Sequence, residues 1–131
     1  MPVKNAPQKE SYARHYHNHS FESLCASWLL ADGWDVFSPL IDHGSKTDIL
    51  ISDGSNYYRI QVKTVDTADE TLVVENKWDN VPIDYVIYFS KQRDWGYIAK
   101  PFRQRLKKLD SPDHIRFHQH RKNFIKAFNK A

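Results

Sequence analysis

The first sustained hydrophobic rhythm in the chain is helical. Leu24, Trp28 and Ala31 recur at the spacing of one helix face, Ser20 suits the N-cap before them, and Gly33 supplies a C-terminal stop. Residues 1–17 are polar and are expected to form a loose arm. After Gly33 the rhythm shortens. Residues 34–38 read as a short strand ended by Pro39, residues 40–46 as a loop, and residues 47–52 as a second strand. Asp53-Gly54-Ser55-Asn56 is a hairpin turn signal, and residues 57–65 (YYRIQVKTV) form the returning strand. Further strands are predicted at 71–75, at 84–89, where a near-continuous apolar run suits burial on both faces, and at 96–99. Trp95 and Tyr97 are assigned to the core. Pro101 suits the first position of a helix through Phe102, Leu106 and Leu109; Pro112 breaks it, and a basic C-terminal helix with Phe124, Ile125 and Phe128 follows. The pattern predicts one domain over residues 1–131, α/β or α+β in class, with residues 101–131 as its basic helical C-terminal part.

The hairpin fixes a register. With the turn centred between Gly54 and Ser55, residues whose numbers sum to 109 face each other, so Asp48 lies opposite Gln61 on one face. Lys63, two residues on, shares that face, while Ile60 and Val62 point the other way into the core. A slip of one residue would separate the three polar groups.

Composition adds a charge asymmetry. The net charge is +3, but residues 91–131 hold twelve Lys/Arg against three acids, a local +9; residues 1–90 hold 7 bases and 13 acids, or −6. A basic segment on an acidic body suggests a polyanion partner, with a solvated basic surface as the alternative. Arg103, Arg105, Lys107 and Lys108 on the predicted helix after Pro101, extended by Arg121 and Lys122, are the expected phosphate contacts. Apolar content of 40% and charged content of 27% are those of an ordinary globular domain. No apolar run is long enough for a membrane span, and the N-terminus lacks a signal-peptide stretch. The single cysteine, Cys25, rules out an intramolecular disulfide and suits a cytoplasmic setting.

A carboxylate, an amide and an ammonium on one sheet face suit phosphodiester hydrolysis. Mg²⁺ takes oxygen ligands and keeps several waters, so few side chains suffice. Asp48 is the expected anchoring ligand, with the Gln61 amide oxygen and the Val62 carbonyl beside it. Lys63 would orient water and steady charge growing on the phosphate. Glu22 sits on a helical stripe with Cys25, Ala26 and Leu29, where a carboxylate needs a partner; a first-turn acid favoured by the helix dipole is the competing explanation. His43, Ser45 and Lys46 lie in the loop leading to Asp48, in reach of a phosphate if that loop is more than a polar connection.

At these residues the sequence resembles the PD-(D/E)xK nuclease superfamily. The likeness spans roughly residues 20–101, through FESLCASWLLADGWDVFSPLIDHGSKTDILI, YYRIQVKTV, IDYVIYFS and GYIAKP. Asp48 matches the motif Asp, Gln61-Val62-Lys63 the (D/E)xK triplet, and Glu22 the helical acid of many members, archaeal Holliday junction resolvases included. The resemblance implies a restriction-endonuclease-like α/β core, a mixed β-sheet flanked by helices. It also implies Mg²⁺ dependence, with Mn²⁺ able to substitute, and DNA cleavage leaving 5′-phosphates. Gln61 replaces the usual acid and removes one negative charge; the Gln-Val-Lys-Thr form resembles a branch with homing endonucleases of cyanobacterial group I introns. Thr47 stands where many members carry Pro.

The expected protein is therefore a metal-dependent DNA endonuclease of homing or phage/mobile-element type, acting as a homodimer. Two alternatives stay open: a DNA-binding protein on a nuclease fold that has lost cleavage, and a structure-selective junction resolvase. His15, His17 and His19 alternate without Cys partners or structural-zinc spacing, and are read as surface or phosphate contacts.

Overall fold

The computed structural model describes residues 2–3, 9–41, 46–78 and 80–131. Its first element is a helix, α1 (Glu10–Ala31), ten residues longer at its start than the apolar rhythm indicates. The added turns are exposed, so much of the expected loose arm is helical. The buried stripe is Phe21, Cys25, Trp28 and Leu29; Leu24 and Ala31, expected on it, are exposed.

The strands β1 (Asp35–Phe37), β2 (Ile49–Ser52), β3 (Tyr57–Val65), β4 (Val73–Glu75), β5 (Tyr85–Ser90), β6 (Trp95–Ala99), β7 (Leu106–Lys108) and β8 (Ile115–His118) precede a last helix, α2 (Arg121–Phe128). Six of them form one sheet in the order β1-β2-β3-β5-β6-β8, antiparallel throughout except for the parallel β3–β5 pair. The fold is α/β, a mixed sheet flanked by helices, as expected. Both helices pack on the same face, where Phe21, Trp28, Phe89, Phe117 and Phe124 form a chain of aromatic contacts with centroids 5.1–5.9 Å apart. The second face carries Val86, Tyr88, Tyr97 and Ala99 under a small sheet made of β4 and β7, with Trp78 edge-on to Phe102 at 4.8 Å.

The helix expected after Pro101 does not form. Phe102 and Leu109 are buried against the second face, but Leu106 between them is exposed, and residues 106–108 pair with β4 instead. Pairing with a distant strand overrides a local helical spacing. Only the α2 part of residues 101–131 is helical. Trp95 and Tyr97 are core residues, as expected.

The β2–β3 hairpin has the predicted register: Ile49↔Ile60, Leu50↔Arg59, Ile51↔Tyr58 and Ser52↔Tyr57 each sum to 109. Gly54 takes φ +99°, which only glycine adopts freely, and Asp53 Oδ1 accepts from the N–H groups of Ser55 and Asn56 at 2.9 and 2.8 Å. The turn chemistry therefore sets the frame for everything carried on β2 and β3.

Candidate active site at the end of the hairpin

The regular ladder stops at Ile49↔Ile60, and Asp48 is the residue just past its end. Its N–H donates to the Ile60 carbonyl at 2.9 Å, and its Oδ2 accepts from the Val62 N–H at 2.7 Å. Asp48 thus brackets Gln61, bonding Ile60 through its main chain and Val62 through its carboxylate, instead of facing it as a ladder pair. In a strand the N–H and C=O of one residue project to the same side. The Val62 carbonyl therefore points to the side of β3 on which Asp48 lies. Thr47, before Asp48, is buried and accepts a 2.8 Å hydrogen bond from Arg59 Nε. Arg59 is itself fixed by Asp84, whose Oδ2 accepts from its N–H at 2.7 Å while the Asp84 N–H donates to its carbonyl at 2.9 Å. Arg59, Asp84 and Thr47 position the aspartate; nothing in the sequence singled out Arg59 and Asp84, because their link depends on β5 lying beside β3.

Ile60 and Val62 enter the helix-side core, and Gln61 and Lys63 face the other way, as the alternation requires. Gln61 is buried, and its Oε1 has no hydrogen-bond partner among the described residues. An orphaned buried acceptor costs about 1–3 kcal/mol, so a ligand that completes it would be favoured where the described residues supply none. Lys63 is half-buried, and burial is the main reason its ammonium sits below the usual lysine range. Lys77 and Lys46 push it down further, while Asp48 and Glu75 pull it back up.

Glu22 approaches Asp48 from α1, on the helix side of the sheet, across it from the Gln61 and Lys63 side chains. It lines an open cavity of about 410 Å³ together with Asp48, His19, Ala26 and Ile49. His19 Nδ1 lies 2.9 Å from Glu22 Oε2. The Cys25 thiol responds to both acids: burial raises its pKa most, then the charge of Asp48, then that of Glu22. A completely buried thiol held protonated is unreactive. Native protein is therefore expected to leave Cys25 unmodified by a thiol reagent at pH 8, with full labelling on unfolding in urea; rapid native labelling would contradict this packing.

Among the described residues no group of three His, Cys, Asp or Glu side chains is placed to hold a metal ion. The oxygens at the end of the hairpin are a different donor set: one carboxylate, one orphaned amide oxygen and one main-chain carbonyl. Such hard oxygen donors fit a divalent cation that keeps most of its water.

The expected DNA contacts do not share one surface. His43 and Ser45 lie outside the described residues. Lys46 is present, but its Nζ donates to the Lys77 carbonyl. Arg103 and Arg105 are exposed beside the β4–β7 sheet. Lys107 is paired with Asp113 at 2.5 Å and lies over the Phe102 ring, while Lys108 is exposed on β7. Arg121 and Lys122 line a separate cavity of about 390 Å³ with Trp28 and Ile125, on the opposite flank of α1 from Glu22. Among the described residues no helix is long and apolar enough to cross a membrane.

No protein-family model matches the chain, and no curated protein matches it. Among solved structures, that of a bacterial homing endonuclease, I-Ssp6803I, is similar in fold. The TM-score is 0.53 and the sequence identity 17%, over 79% of this chain and 73% of that one.

Proposed function

We propose that this protein is a metal-dependent DNA endonuclease of the PD-(D/E)xK type, with Asp48, Gln61 and Lys63 at its centre. The observation that carries the reading is the end of the β2–β3 hairpin. There a carboxylate bonded to the Val62 N–H, a buried amide oxygen without a partner among the described residues and a half-buried lysine are carried just before β2 and on alternate positions of β3. The fold shared with a homing endonuclease supports it. So does the basic C-terminal third, which suits a polyanionic substrate.

Asp48, the Gln61 amide oxygen and the Val62 carbonyl would hold Mg²⁺, or Mn²⁺ in its place, with Glu22 as a further acid. The cation, when bound, supplies Lewis-acid polarisation of the phosphate and lowers the pKa of water. The chain's own residues do the rest. Lys63 orients the attacking water and opposes charge building on the phosphate, and burial makes its proton easier to share than that of a free lysine. The Arg59–Thr47 bond and the Val62 N–H hold Asp48 still while this happens. A domain of this size reaches one strand, so a homodimer would make the double-strand cut. The setting is the cytoplasm of a prokaryotic or phage-infected cell, with a homing or other mobile-element role suggested by the shared fold.

The second reading, a DNA-binding protein that has lost cleavage, draws on the neutral Gln61. The two diverge in metal binding. Mn²⁺ titrated into DNA-free protein in a calorimeter is expected to bind weakly to the wild type. Binding should be about tenfold weaker or more in Asp48→Asn, and tighter in Gln61→Glu, where the missing charge returns. Identical titrations for all three proteins would contradict the assigned ligands.

A further inference from the structure

Residues 66–80 follow the active-site strand and read from sequence as a solvated loop or hairpin; within them, the structure brings Lys77 to the edge of the candidate site. The segment after β4 is firmly placed. The Asn76 N–H donates to the Arg105 carbonyl at 2.9 Å, Asn76 Nδ2 donates to the Phe102 carbonyl at 2.8 Å, and Trp78 packs edge-on against Phe102. Val74 and Trp78 point inward and are buried, so Glu75 and Lys77 project outward and are exposed. From the other side comes Lys46, two residues before Asp48, whose ammonium is used in holding the Lys77 carbonyl. Lys46 adopts φ 56° and Asn80, just beyond the segment, φ 66°; both are non-glycine residues in the left-handed region. Such strain persists where surrounding structure enforces it, and it concentrates at ligand clamps.

We propose that Lys77 is a DNA-phosphate ligand of this site, with Lys46 acting as the tether that holds it beside Lys63. The proposal rests on the nuclease reading for its location but not for its chemistry, because a phosphate contact acts whether or not the strand is cut. It reassigns Lys46, expected from sequence to touch phosphate, to a main-chain tether. The Lys46 contact places the Lys77 main chain beside the segment that leads into Asp48, and the charges of both lysines are felt at Lys63, with Asp48 and Glu75 opposing them. Like charges gathered around a half-buried ammonium repel one another in the free protein. A bridging anion removes that repulsion. Arg105, exposed and bonded through its carbonyl to the Asn76 N–H, adds a further positive group next to Lys77. Lys77 binds by charge alone, so it contributes affinity and not base preference.

The test is anisotropy of a labelled mixed-sequence duplex in EDTA, where cutting cannot intrude, across a salt range of about 50 to 200 mM. Wild type is compared with Lys77→Ala, Lys77→Arg and Lys130→Ala, the last removing an exposed charge from the far end of the chain. Lys77→Ala is expected to bind about 3- to 10-fold more weakly and to lower the slope of log affinity against log salt by about 0.9. Lys77→Arg should retain the wild-type slope. The proposal is overturned if Lys77→Ala has no larger effect than Lys130→Ala, or if the wild type binds no DNA. Since the Lys77 side chain is exposed, its loss leaves the fold intact, as a melting curve would verify. A wild type that binds with this slope pattern but never cuts in Mg²⁺ or Mn²⁺ would remove the nuclease reading and leave the phosphate ligand standing.

Discussion

Replacing Lys63 with methionine is expected to lower DNA cleavage by about 10²- to 10⁴-fold without loosening the protein. Methionine keeps the unbranched stem that runs along the second face and removes only the ammonium. The effect on stability has a definite sign. Burial, Lys77 and Lys46 lower the Lys63 pKa in the folded state, so the charged form is disfavoured by folding. At pH values below the folded pKa both states are protonated, and the full penalty is present. It fades as pH rises from the folded pKa toward the unfolded value. At neutral pH the methionine variant should therefore melt at or above the wild-type temperature. Arginine would not rescue cleavage, because it is bulkier and does not release a proton. The checks are a melting curve and a time course of nicking for each variant. A variant that is both destabilised and inactive would reduce Lys63 to a structural residue, and one that still cuts would remove it from the site.

The second large effect is on stability, and it comes from a residue with no polar chemistry. Gly96, in β6, faces Phe89 on one side and Phe117 on the other. A Cβ built there would lie 2.3 and 2.8 Å from carbons of the Phe117 ring and 2.5 Å from the Tyr88 carbonyl oxygen. The ring could turn, but the carbonyl belongs to the neighbouring strand and moves only if β5 and β6 separate. Gly96→Ala is therefore expected to destabilise by about 3 kcal/mol, at the upper end for overpacking, and to lower Tm by on the order of 10 °C. Adding Phe117→Leu should recover only part of the loss, since the clash with the carbonyl remains. Thermal melts of the three variants measure this. A Gly96→Ala protein as stable as wild type would mean the β5–β6–β8 spacing is wider than described.

Much of the candidate site was legible because one turn fixes it. Asp53 and Gly54 specify a tight reversal, the sum rule follows, and the ladder obeys it from Ser52↔Tyr57 to Ile49↔Ile60. What lay beyond that local geometry was not legible. The start of α1 carries no apolar stripe, so nothing in its pattern marked residues 10–19 as helical. Phe102, Leu106 and Leu109 have helical spacing, yet two of them are buried by a sheet partner some thirty residues upstream and the third is left in solvent. Arg59, Asp84 and Lys77 owe their positions to the parallel β3–β5 pair and to the segment crossing between those strands. Long-range pairing of that kind leaves no periodic trace in either segment. The approach of Glu22 to Asp48 was foreseen through the stripe it shares with Cys25 and Leu29 and through the helical acid of the family the sequence resembles, and that stripe is what seats α1 on the sheet.

The central claim is that the oxygens and the lysine at the end of the β2–β3 hairpin cut DNA with a divalent cation. The most direct measurement is incubation of wild type and Lys63→Met with supercoiled plasmid and phage DNA in Mg²⁺, in Mn²⁺ and in EDTA, followed by chemical analysis of the ends. Wild type is expected to nick or linearise the DNA in either metal, leaving 5′-phosphate and 3′-hydroxyl ends, with no cutting in EDTA or by the variant. Wild type that binds these DNAs and leaves them intact in both metals, or cutting that persists in EDTA, would contradict that claim.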